Sequence, residues 1–354
     1  MNDKHTEHPS VLGISSGISA SLPASSVSDE RDAVYNHCGL LDQSTTVGRL
    51  SMSGEDSIDL LNRLSTNDLT CLEVGQGAFT VLITNKGRII DLVYVVRMRD
   101  RVLLLTDVDS RGKVVDWIEF YIFTEDVAIK DITVETAMLS LLGPKSKTIL
   151  EDLFRLSLSS SDKQNIFLAT FGKIELTLMI KESVGLLFYD LLVSKVDYKK
   201  LLTEITNNYG GSDLKVVSAQ AFQLVRVERG MPVYGKELTE QFNPLEAGLD
   251  KFISPTKGCY VGQEVVARLI TYKKVKKALV GLRWEANGQI QMGSKLMLGD
   301  VQVGLLTSAT ESLLDGNFIG LGYVRKINAR GNTRLDMINE STSIEVDVVD
   351  LPFS

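Results

Sequence analysis

The amino-acid sequence predicts an α+β fold, in which two ferredoxin-like α+β subdomains are followed by a small C-terminal β-barrel. The chain has 354 residues, and because this exceeds the size at which one hydrophobic core keeps growing, we expect several domains. Residues 101–156 follow the pattern strand, helix, strand, strand, helix, and a similar pattern is expected around residues 165–217. From residue 278 onward, Gly, Asn and Asp turns separate five short predicted strands, which is typical of a small barrel; the strands are 278–284, 295–297, 301–306, 317–324 and 344–349. The glycines within these strands are expected to serve strand packing.

Three regions are expected along the chain. Residues 1–28 are rich in Ser and other small residues and lack hydrophobic periodicity, which predicts a disordered tail. Residues 29–272 are expected to hold the two interleaved α+β subdomains. The barrel is expected to occupy residues 273–354.

Composition excludes several classes of protein. A net charge of -7 and a pI near 5.2 argue against nucleic-acid binding through bulk electrostatics. No apolar run approaches the roughly 20 residues that a membrane span needs. Three cysteines and three histidines are too few for a disulfide framework, a His-rich zinc centre or a Ser-His-Asp triad. We therefore expect no metal site, a reducing cytoplasmic location, and chemistry from carboxylates, Lys, Arg, Tyr or Cys259.

The first subdomain is expected to open with a strand at 49–54 and a helix at 56–64, where leucines recur at helical spacing. A hairpin follows, with strands at 77–84 and 89–96 joined by a tight Asn-Lys-Gly turn. Asp91 interrupts the apolar second strand. Either its carboxylate is buried and must accept hydrogen bonds or shift its pKa, or it faces solvent on the polar side of the strand.

A helix is predicted at 219–228, and Gly230 and Pro232 end it. Glu228 therefore lies at the helix end, beside whatever the following loop encloses. Its carboxylate either binds a ligand or forms a salt bridge with a neighbouring arginine.

The most specific motif is Lys-Gly-Cys-Tyr-Val-Gly-Gln-Glu at residues 257–264. Gly258 and Gly262 allow a tight turn and a close approach to another surface. A helix is predicted from Gln263 onward, and its first-turn amides would lie beside the thiol of Cys259 and favour an anionic group there. The alternative is a glycine-rich turn that leads into a helix and carries one buried cysteine.

The octet 257–264 resembles the signature of the YgfZ family of folate-binding proteins, relatives of the glycine-cleavage T-protein. The run Arg-x-Glu-x-Gly-x-Pro-x-Tyr-Gly at 226–235 and the stretch at 243–249 resemble T-protein segments. Together these resemblances extend from about residue 31 to the C-terminus. They imply a T-protein-like multidomain fold and tetrahydrofolate as the cofactor.

The same resemblance implies roles for individual residues. Glu228 would bind the pterin ring, which offers a ring N–H and an amine side by side to one carboxylate. Asp91 would be the catalytic aspartate, but its spacing from Gly87 is one residue short, so Leu92 is the alternative occupant of that position. Lys257 lies where T-proteins carry a folate-contacting arginine. The other expected cofactor-binding residues are Arg226, Tyr234, Gln263 and Glu264.

Two functions follow from these resemblances. The first is a tetrahydrofolate-binding accessory protein of iron–sulfur cluster assembly or repair, with iron–sulfur proteins as partners and Cys259 as an exposed working thiol. The alternative is a folate-dependent aminomethyltransferase or methyltransferase, in which Asp91 positions or deprotonates the attacking amine. A third reading is a scaffold that keeps the fold without folate. Both folate-binding hypotheses expect Glu228 and Cys259 to converge on one cleft.

Overall fold

The computed structural model describes residues 25–158, 164–211, 213–285, 291–313, 315–339 and 342–353. Order begins earlier than the predicted tail boundary, because helix α1 spans Val27–Asn36. Ser26 caps this helix: its hydroxyl accepts a hydrogen bond from the Asp29 amide, and the Asp29 carboxylate accepts one from Ser26. Residues 1–24, the rest of the predicted tail, lie outside the described residues. Strand β1 (Cys38–Asp42) follows α1.

A five-stranded sheet forms the first subdomain, in the order β3-β4-β5-β2-β6. Strands β6, β2, β5 and β4 have the ferredoxin-like arrangement, and β3 adds an antiparallel edge strand to β4. The predicted hairpin is thus confirmed. The elements are β2 (Val47–Ser53), α2 (Ser57–Leu64), β3 (Gln76–Ile83), β4 (Ile89–Arg97), β5 (Val102–Asp107), α3 (Arg111–Glu119) and β6 (Ala128–Asp131).

A six-stranded sheet repeats this plan, in the order β11-β1-β7-β10-β9-β8. The unit is again a strand, a helix, three strands, a helix and a strand, and β1 is inserted between the first and last strands of the unit. The predicted pair of ferredoxin-like halves is therefore confirmed. The elements are β7 (Thr136–Leu142), α4 (Ser146–Phe154), β8 (Ile166–Phe171), β9 (Ile174–Ser183), β10 (Leu186–Ser194), α5 (Tyr198–Tyr209) and β11 (Leu214–Val216).

The two sheets face each other through the sides that their helices leave uncovered. On β4, Val93 and Val95 pack against the core of α2 and α3, whereas Tyr94 points to the opposite side. There it packs in one cluster with Met138 and Met179 of the six-stranded sheet. Because side chains alternate along a strand, each sheet contributes one face to its own helices and one face to the space between the sheets.

Helix α6 (Ala219–Arg229) joins the two halves to the C-terminal barrel, as the predicted helix 219–228 implies. Ser218 caps its first turn by accepting a hydrogen bond from the Ala221 amide. One side of the helix packs on the six-stranded sheet, and Leu224 and Val227 pack against barrel residues. A 3-10 helix (Asp250–Phe252) and α7 (Gln263–Thr271) follow. No helix in the described ranges is long and apolar enough to cross a membrane.

The C-terminal region is a closed six-stranded barrel in the order β12-β15-β14-β13-β16-β17. The sequence predicts five of these strands and misses β16, a five-residue strand whose side chains alternate between exposed and buried. Gly320 and Gly322 lie where a side chain would collide with neighbouring strands, in agreement with their predicted packing role. The strands are β12 (Lys277–Trp284), β13 (Lys295–Leu298), β14 (Val301–Glu311), β15 (Phe318–Arg325), β16 (Arg334–Ile338) and β17 (Ser343–Val349).

Candidate functional site

A cavity of about 530 Å³ lies between the two sheets. Leu92 and Leu105 line it from the five-stranded sheet, and Phe188 lines it from the six-stranded sheet. The loop 230–234 after α6 and the C-terminal segment at Leu351 complete the wall. This volume lies within the range of about 300–1,000 Å³ that is usual for small-molecule sites.

Aromatic side chains cover much of the cavity wall. Phe79 contacts Tyr94 edge-to-face, with ring centroids 4.8 Å apart, and Phe252 at 5.2 Å. On the other side Phe188 and Phe222 contact each other at 6.4 Å. Flat, polarisable surfaces of this kind suit a planar heterocycle.

Asp91 is buried at the edge of this cavity and accepts three hydrogen bonds. Its Oδ1 accepts from the Leu92 amide at 2.8 Å, and its Oδ2 accepts from the Asp107 amide at 3.0 Å and from the Ser110 hydroxyl. Burial raises the pKa of Asp91 to about 7, although these donors oppose the shift. Of the two readings of Asp91, the structure therefore supports the buried carboxyl group. Leu92, the alternative occupant of the family position, also lines the cavity.

A second carboxyl group, which sequence reasoning missed, belongs to Asp107 at the end of β5. Leu103 and Leu105 pack between the sheets, whereas Leu104 packs against the helices. Strand alternation therefore places the Asp107 side chain on the cavity side. Asp107 is half-buried, lines the cavity, and has its pKa raised to about 6 by burial. An aspartate before a turn resembles an ordinary turn residue, and only continued strand alternation would have identified it.

Cationic side chains also line the cavity. Lys181 forms an ion pair with the fully buried Asp190, and its ammonium lies 5.6 Å from the centroid of the Phe188 ring. Lys251 and Arg229 also line the cavity. The cavity can thus receive both N–H groups and carboxylates of a ligand.

Glu228 occupies a different environment from the one predicted for a pterin-binding residue. Its carboxylate accepts hydrogen bonds from Arg31 Nε at 2.7 and 3.0 Å and from the Tyr35 hydroxyl at 2.8 Å. Burial raises the pKa of Tyr35 to about 12, and the Glu228 carboxylate adds to this shift. Glu228 is not among the described residues that line the large cavity, but it lines a smaller one of about 160 Å³. The alternative reading, a salt bridge to an arginine, describes the observed contact.

Lys257 is buried, and its ammonium is bound by the protein itself. It donates hydrogen bonds to the carbonyl oxygens of Asn62, Ser65 and Asn67, at 2.7, 2.8 and 2.5 Å. Burial lowers the pKa of Lys257 to about 8. Lys257 therefore holds the end of α2 and the start of the octet loop, and it does not line the large cavity. The predicted folate contact of Lys257 has no support in this geometry.

The rest of the octet divides into packed and exposed residues. Tyr260 is buried with Val81 and Ile83, whereas Cys259 is exposed, as the iron–sulfur hypothesis expects and the buried-cysteine alternative does not. Gln263 and Glu264 begin helix α7, as predicted.

Gln263 and Glu264 bind other parts of the octet loop and α7. The Gln263 side chain contacts the Gly258 carbonyl oxygen at 3.4 Å, and Glu264 pairs with Arg268 at 2.5 Å. These two predicted cofactor-binding residues lie outside both cavities among the described residues.

Arg226 is buried and connects α6 to the barrel. Its guanidinium group lies 3.4 Å from the Glu237 carboxylate and 2.6 Å from the Ser308 hydroxyl. Glu237 in turn accepts hydrogen bonds from Thr307 and Ser308. Arg226 thus has an interdomain contact where a cofactor contact was predicted.

The predicted convergence of Glu228 and Cys259 on one cleft is not observed. Neither cavity is lined by both residues. Of the predicted site residues, the structure brings only Asp91 and Tyr234 to the large cavity. The reason is that the three long-range contacts of Lys257 hold the octet loop beside α2, away from the α6 terminus.

Comparison with known proteins places the chain in a family. A family model described as the GCVT N-terminal domain matches residues 14–257, and one described as the glycine cleavage T-protein C-terminal barrel domain matches residues 277–354. The chain belongs to the glycine cleavage T-protein family.

Individual T-protein relatives agree with this result. A protein of Arabidopsis thaliana named as a chloroplastic transferase is 33% identical over 85% of this chain and 69% of its own length. The aminomethyltransferase of Halothermothrix orenii is 29% identical over 95% of this chain and 94% of its own. The crystal structure of aminomethyltransferase T from Bartonella henselae superposes with a TM-score of 0.80 at 19% identity, covering 93% of this chain and 89% of that one.

Membership of the T-protein family confirms the coarser part of the sequence-based expectation. The multidomain α+β fold with a terminal barrel is confirmed, and the aminomethyltransferases of this family use tetrahydrofolate. The finer resemblance to YgfZ proteins stays a prediction.

Proposed function

We propose that this protein binds tetrahydrofolate in the large cavity and transfers a one-carbon unit, as an aminomethyltransferase-type enzyme does. The observation that carries the proposal is the pair of carboxyl groups, Asp91 and Asp107, on the wall of an aromatic-lined cavity. Relatives that match this chain over nearly its whole length are named aminomethyltransferases, which supports the reaction class.

The residues that line the cavity fit a reduced folate in three respects. Phe79, Phe252 and Tyr234 would flank its planar rings. Lys251 would attract the carboxylates of its glutamyl tail, and Asp107 would face the reacting amine. When bound, tetrahydrofolate supplies the nitrogen atoms that carry the one-carbon unit.

The two aspartates divide the proton chemistry between them. A general acid or base is most effective when its pKa lies close to the operating pH, and the pKa values of about 7 for Asp91 and about 6 for Asp107 meet this condition. Asp107 faces the cavity and would contact the reacting amine. Asp91 binds the Asp107 amide and the Ser110 hydroxyl, so it would position the turn that carries Asp107.

The test combines calorimetric titration with tetrahydrofolate and an assay of methylenetetrahydrofolate formation. We expect Asp107→Asn to lower turnover by about 100-fold, the lower end of general acid–base effects, with little change in folate affinity. Asp100→Asn, at an exposed position in the turn between β4 and β5, serves as the matched control and should retain turnover. Absence of folate binding would refute the proposal, and wild-type turnover in both Asp91→Asn and Asp107→Asn would refute the assigned chemistry.

A second candidate function is the accessory role in iron–sulfur cluster assembly or repair. One observation favours it: Cys259 is exposed on a loop that Lys257 holds in place on one side. A thiol held in this way could meet a client protein while folate occupies the separate cavity. Iron–sulfur proteins would be the partners. The cytoplasmic location also stays a prediction, since the Arabidopsis relative is named as chloroplastic.

The two candidates respond to different substitutions. Cys259→Ser should leave folate affinity and one-carbon turnover unchanged under either function. Under the accessory role it should abolish the ability of the protein to restore activity to an inactivated iron–sulfur enzyme, whereas Cys71→Ser, at another exposed cysteine, should not. Full restoration by Cys259→Ser would exclude the thiol mechanism.

A further inference from the structure

The smaller cavity, of about 160 Å³, is lined by an unusual set of charges. Arg31, Arg229 and Arg283 contribute three guanidinium groups, and Glu228 contributes the one carboxylate among its described lining residues. In a chain whose net charge is -7, this local excess of positive charge is opposite to the overall balance. A cavity with such walls concentrates the field of its charges and attracts anions.

Two of these guanidinium groups lie against the same tyrosine ring. The Cζ atoms of Arg31 and Arg229 are each 4.7 Å from the centroid of the Tyr35 ring. The Nε of Arg31 donates to Glu228, and the terminal nitrogens of Arg31 have no hydrogen-bond partner among the described residues. Glu228 pairs with Arg31, and the charge of Arg283 interacts with that of Asp315. The three guanidinium groups still outnumber these two carboxylates, so the cavity keeps an excess of positive charge.

Buried donors without partners point in the same direction. The Nε atoms of Arg229 and Arg283 are shielded from solvent and have no hydrogen-bond partner among the described residues. Buried polar atoms are nearly always hydrogen-bonded, so two unpaired donors in one cavity indicate a missing acceptor. An oxyanion offers several acceptor atoms, and guanidinium groups match carboxylate and phosphate oxygens geometrically.

We propose that this cavity is a second binding site, distinct from the large cavity, for an oxyanion group such as a phosphate or a carboxylate. The ligand would accept hydrogen bonds from Arg229 and Arg283 and pair with the free end of Arg31. Arg229 lines both cavities, so a ligand bound in one of them lies beside a side chain that also lines the other. The proposal does not depend on the proposed transferase activity.

The test is calorimetric titration of the full chain with inorganic phosphate and, separately, with glutarate, at constant ionic strength. We expect saturable binding of at least one of them at one site per chain. Arg283→Gln should weaken that binding by about tenfold or more, as expected for the loss of a charge-assisted hydrogen bond. Arg325→Gln, the same change at an exposed position on the neighbouring barrel strand, should bind as the wild type does. Stronger binding of phosphate identifies a phosphoryl ligand, and stronger binding of glutarate identifies a carboxylate ligand.

Thermal unfolding without ligand distinguishes a loss of anion binding from a folding defect. If Arg283 serves a ligand, Arg283→Gln should unfold at the wild-type temperature or above it, because an unpaired buried donor has been removed. Arg283→Lys, which keeps the charge, should bind with intermediate affinity if the first variant does not fold. The proposal is wrong if neither probe binds the wild type, or if Arg283→Gln and Arg325→Gln bind equally well.

Discussion

At the scale of single residues, the affinity of the Asp91 carboxyl group for its proton depends on folding. Its folded-state pKa of about 7 lies above the ordinary value of 3.8, with burial as the main cause. The native state therefore holds the proton more tightly than the unfolded chain does. The resulting stability is fully present at low pH and is lost as the pH rises from about 4 to about 7.

Replacement of this carboxyl group should flatten the pH dependence of stability. In Asp91→Asn, the decrease in the free energy of unfolding between about pH 5 and about pH 8 should be smaller than in the wild type by about 3 kcal/mol. Urea unfolding at a series of pH values measures this decrease in both proteins. Asp100→Asn, at an exposed position, should keep the wild-type slope, and equal slopes for wild type and Asp91→Asn would contradict the assigned pKa.

Lys257 is the residue on which the geometry of the octet depends. In Lys257→Met, the carbonyl oxygens of residues 62, 65 and 67 lose a charged donor. We expect the free energy of unfolding to fall by about 2–4 kcal/mol. Denaturant unfolding measures the loss, and Lys199→Met, at an exposed position, should change stability by less than about 0.5 kcal/mol. A neutral Lys257→Met would refute this structural role.

At the scale of elements, the octet loop packs against the turn of the β3–β4 hairpin. Gly262 has a left-handed φ of +79°, and a Cβ atom there would lie 2.6 Å from the Thr84 carbonyl oxygen. The loop amide of Val261 also donates to the Arg63 carbonyl oxygen at 2.9 Å. The second glycine of the octet is thus required by backbone conformation and by close approach.

A comparison of Gly262 with Gly235 separates the effect of backbone conformation from that of close approach, because the two glycines have similar backbone conformations. Gly235 has a φ of +76° and no neighbour within 4 Å of a built Cβ, so Gly235→Ala should cost about 1 kcal/mol from conformation alone. Gly262→Ala adds a collision with backbone and should cost at least about 2 kcal/mol more. Chemical denaturation of both variants measures the difference. Equal losses of stability in the two variants would show that the hairpin turn shifts at little cost in free energy to make room for the added Cβ atom.

At the scale of the whole molecule, the large cavity joins units that are distant in sequence. The five-stranded sheet, the six-stranded sheet, the loop after α6 and barrel strand β12 all contribute lining residues. A ligand in this cavity therefore binds only when all of these units are assembled. Folding of the barrel and of the α+β halves should be coupled through it.

Tetrahydrofolate should accordingly stabilise every part of the chain. At about 100 times its dissociation constant, it should raise the free energy of unfolding by about 2.7 kcal/mol. Trp117 on α3 and Trp284 on β12 report on the two regions separately in the variants Trp284→Phe and Trp117→Phe. Both fluorescence transitions should shift together. A barrel transition that stays at its ligand-free midpoint would contradict the coupling.

Local patterns predicted most of the architecture. The hairpin, helix α6, the repeated α+β plan and five of six barrel strands follow from periodicity and turn residues, because these signals act between near neighbours in the chain. Strand β16 was missed since its five residues give too short an alternation between turns. The family resemblance likewise depended on residues within single short motifs.

By itself, the sequence determined most of the elements and the T-protein-type fold, and it left open whether the carboxyl group of Asp91 is buried or faces solvent. Only the tertiary structure decided which side chains meet: Glu228 finds Arg31 across 197 positions of sequence, and Lys257 finds the Ser65 carbonyl across 192. The same assembly turns Asp107 toward the cavity and leaves Cys259 outside it. Partners so far apart leave no periodic trace in the chain, because the packing of whole sheets and helices brings them together.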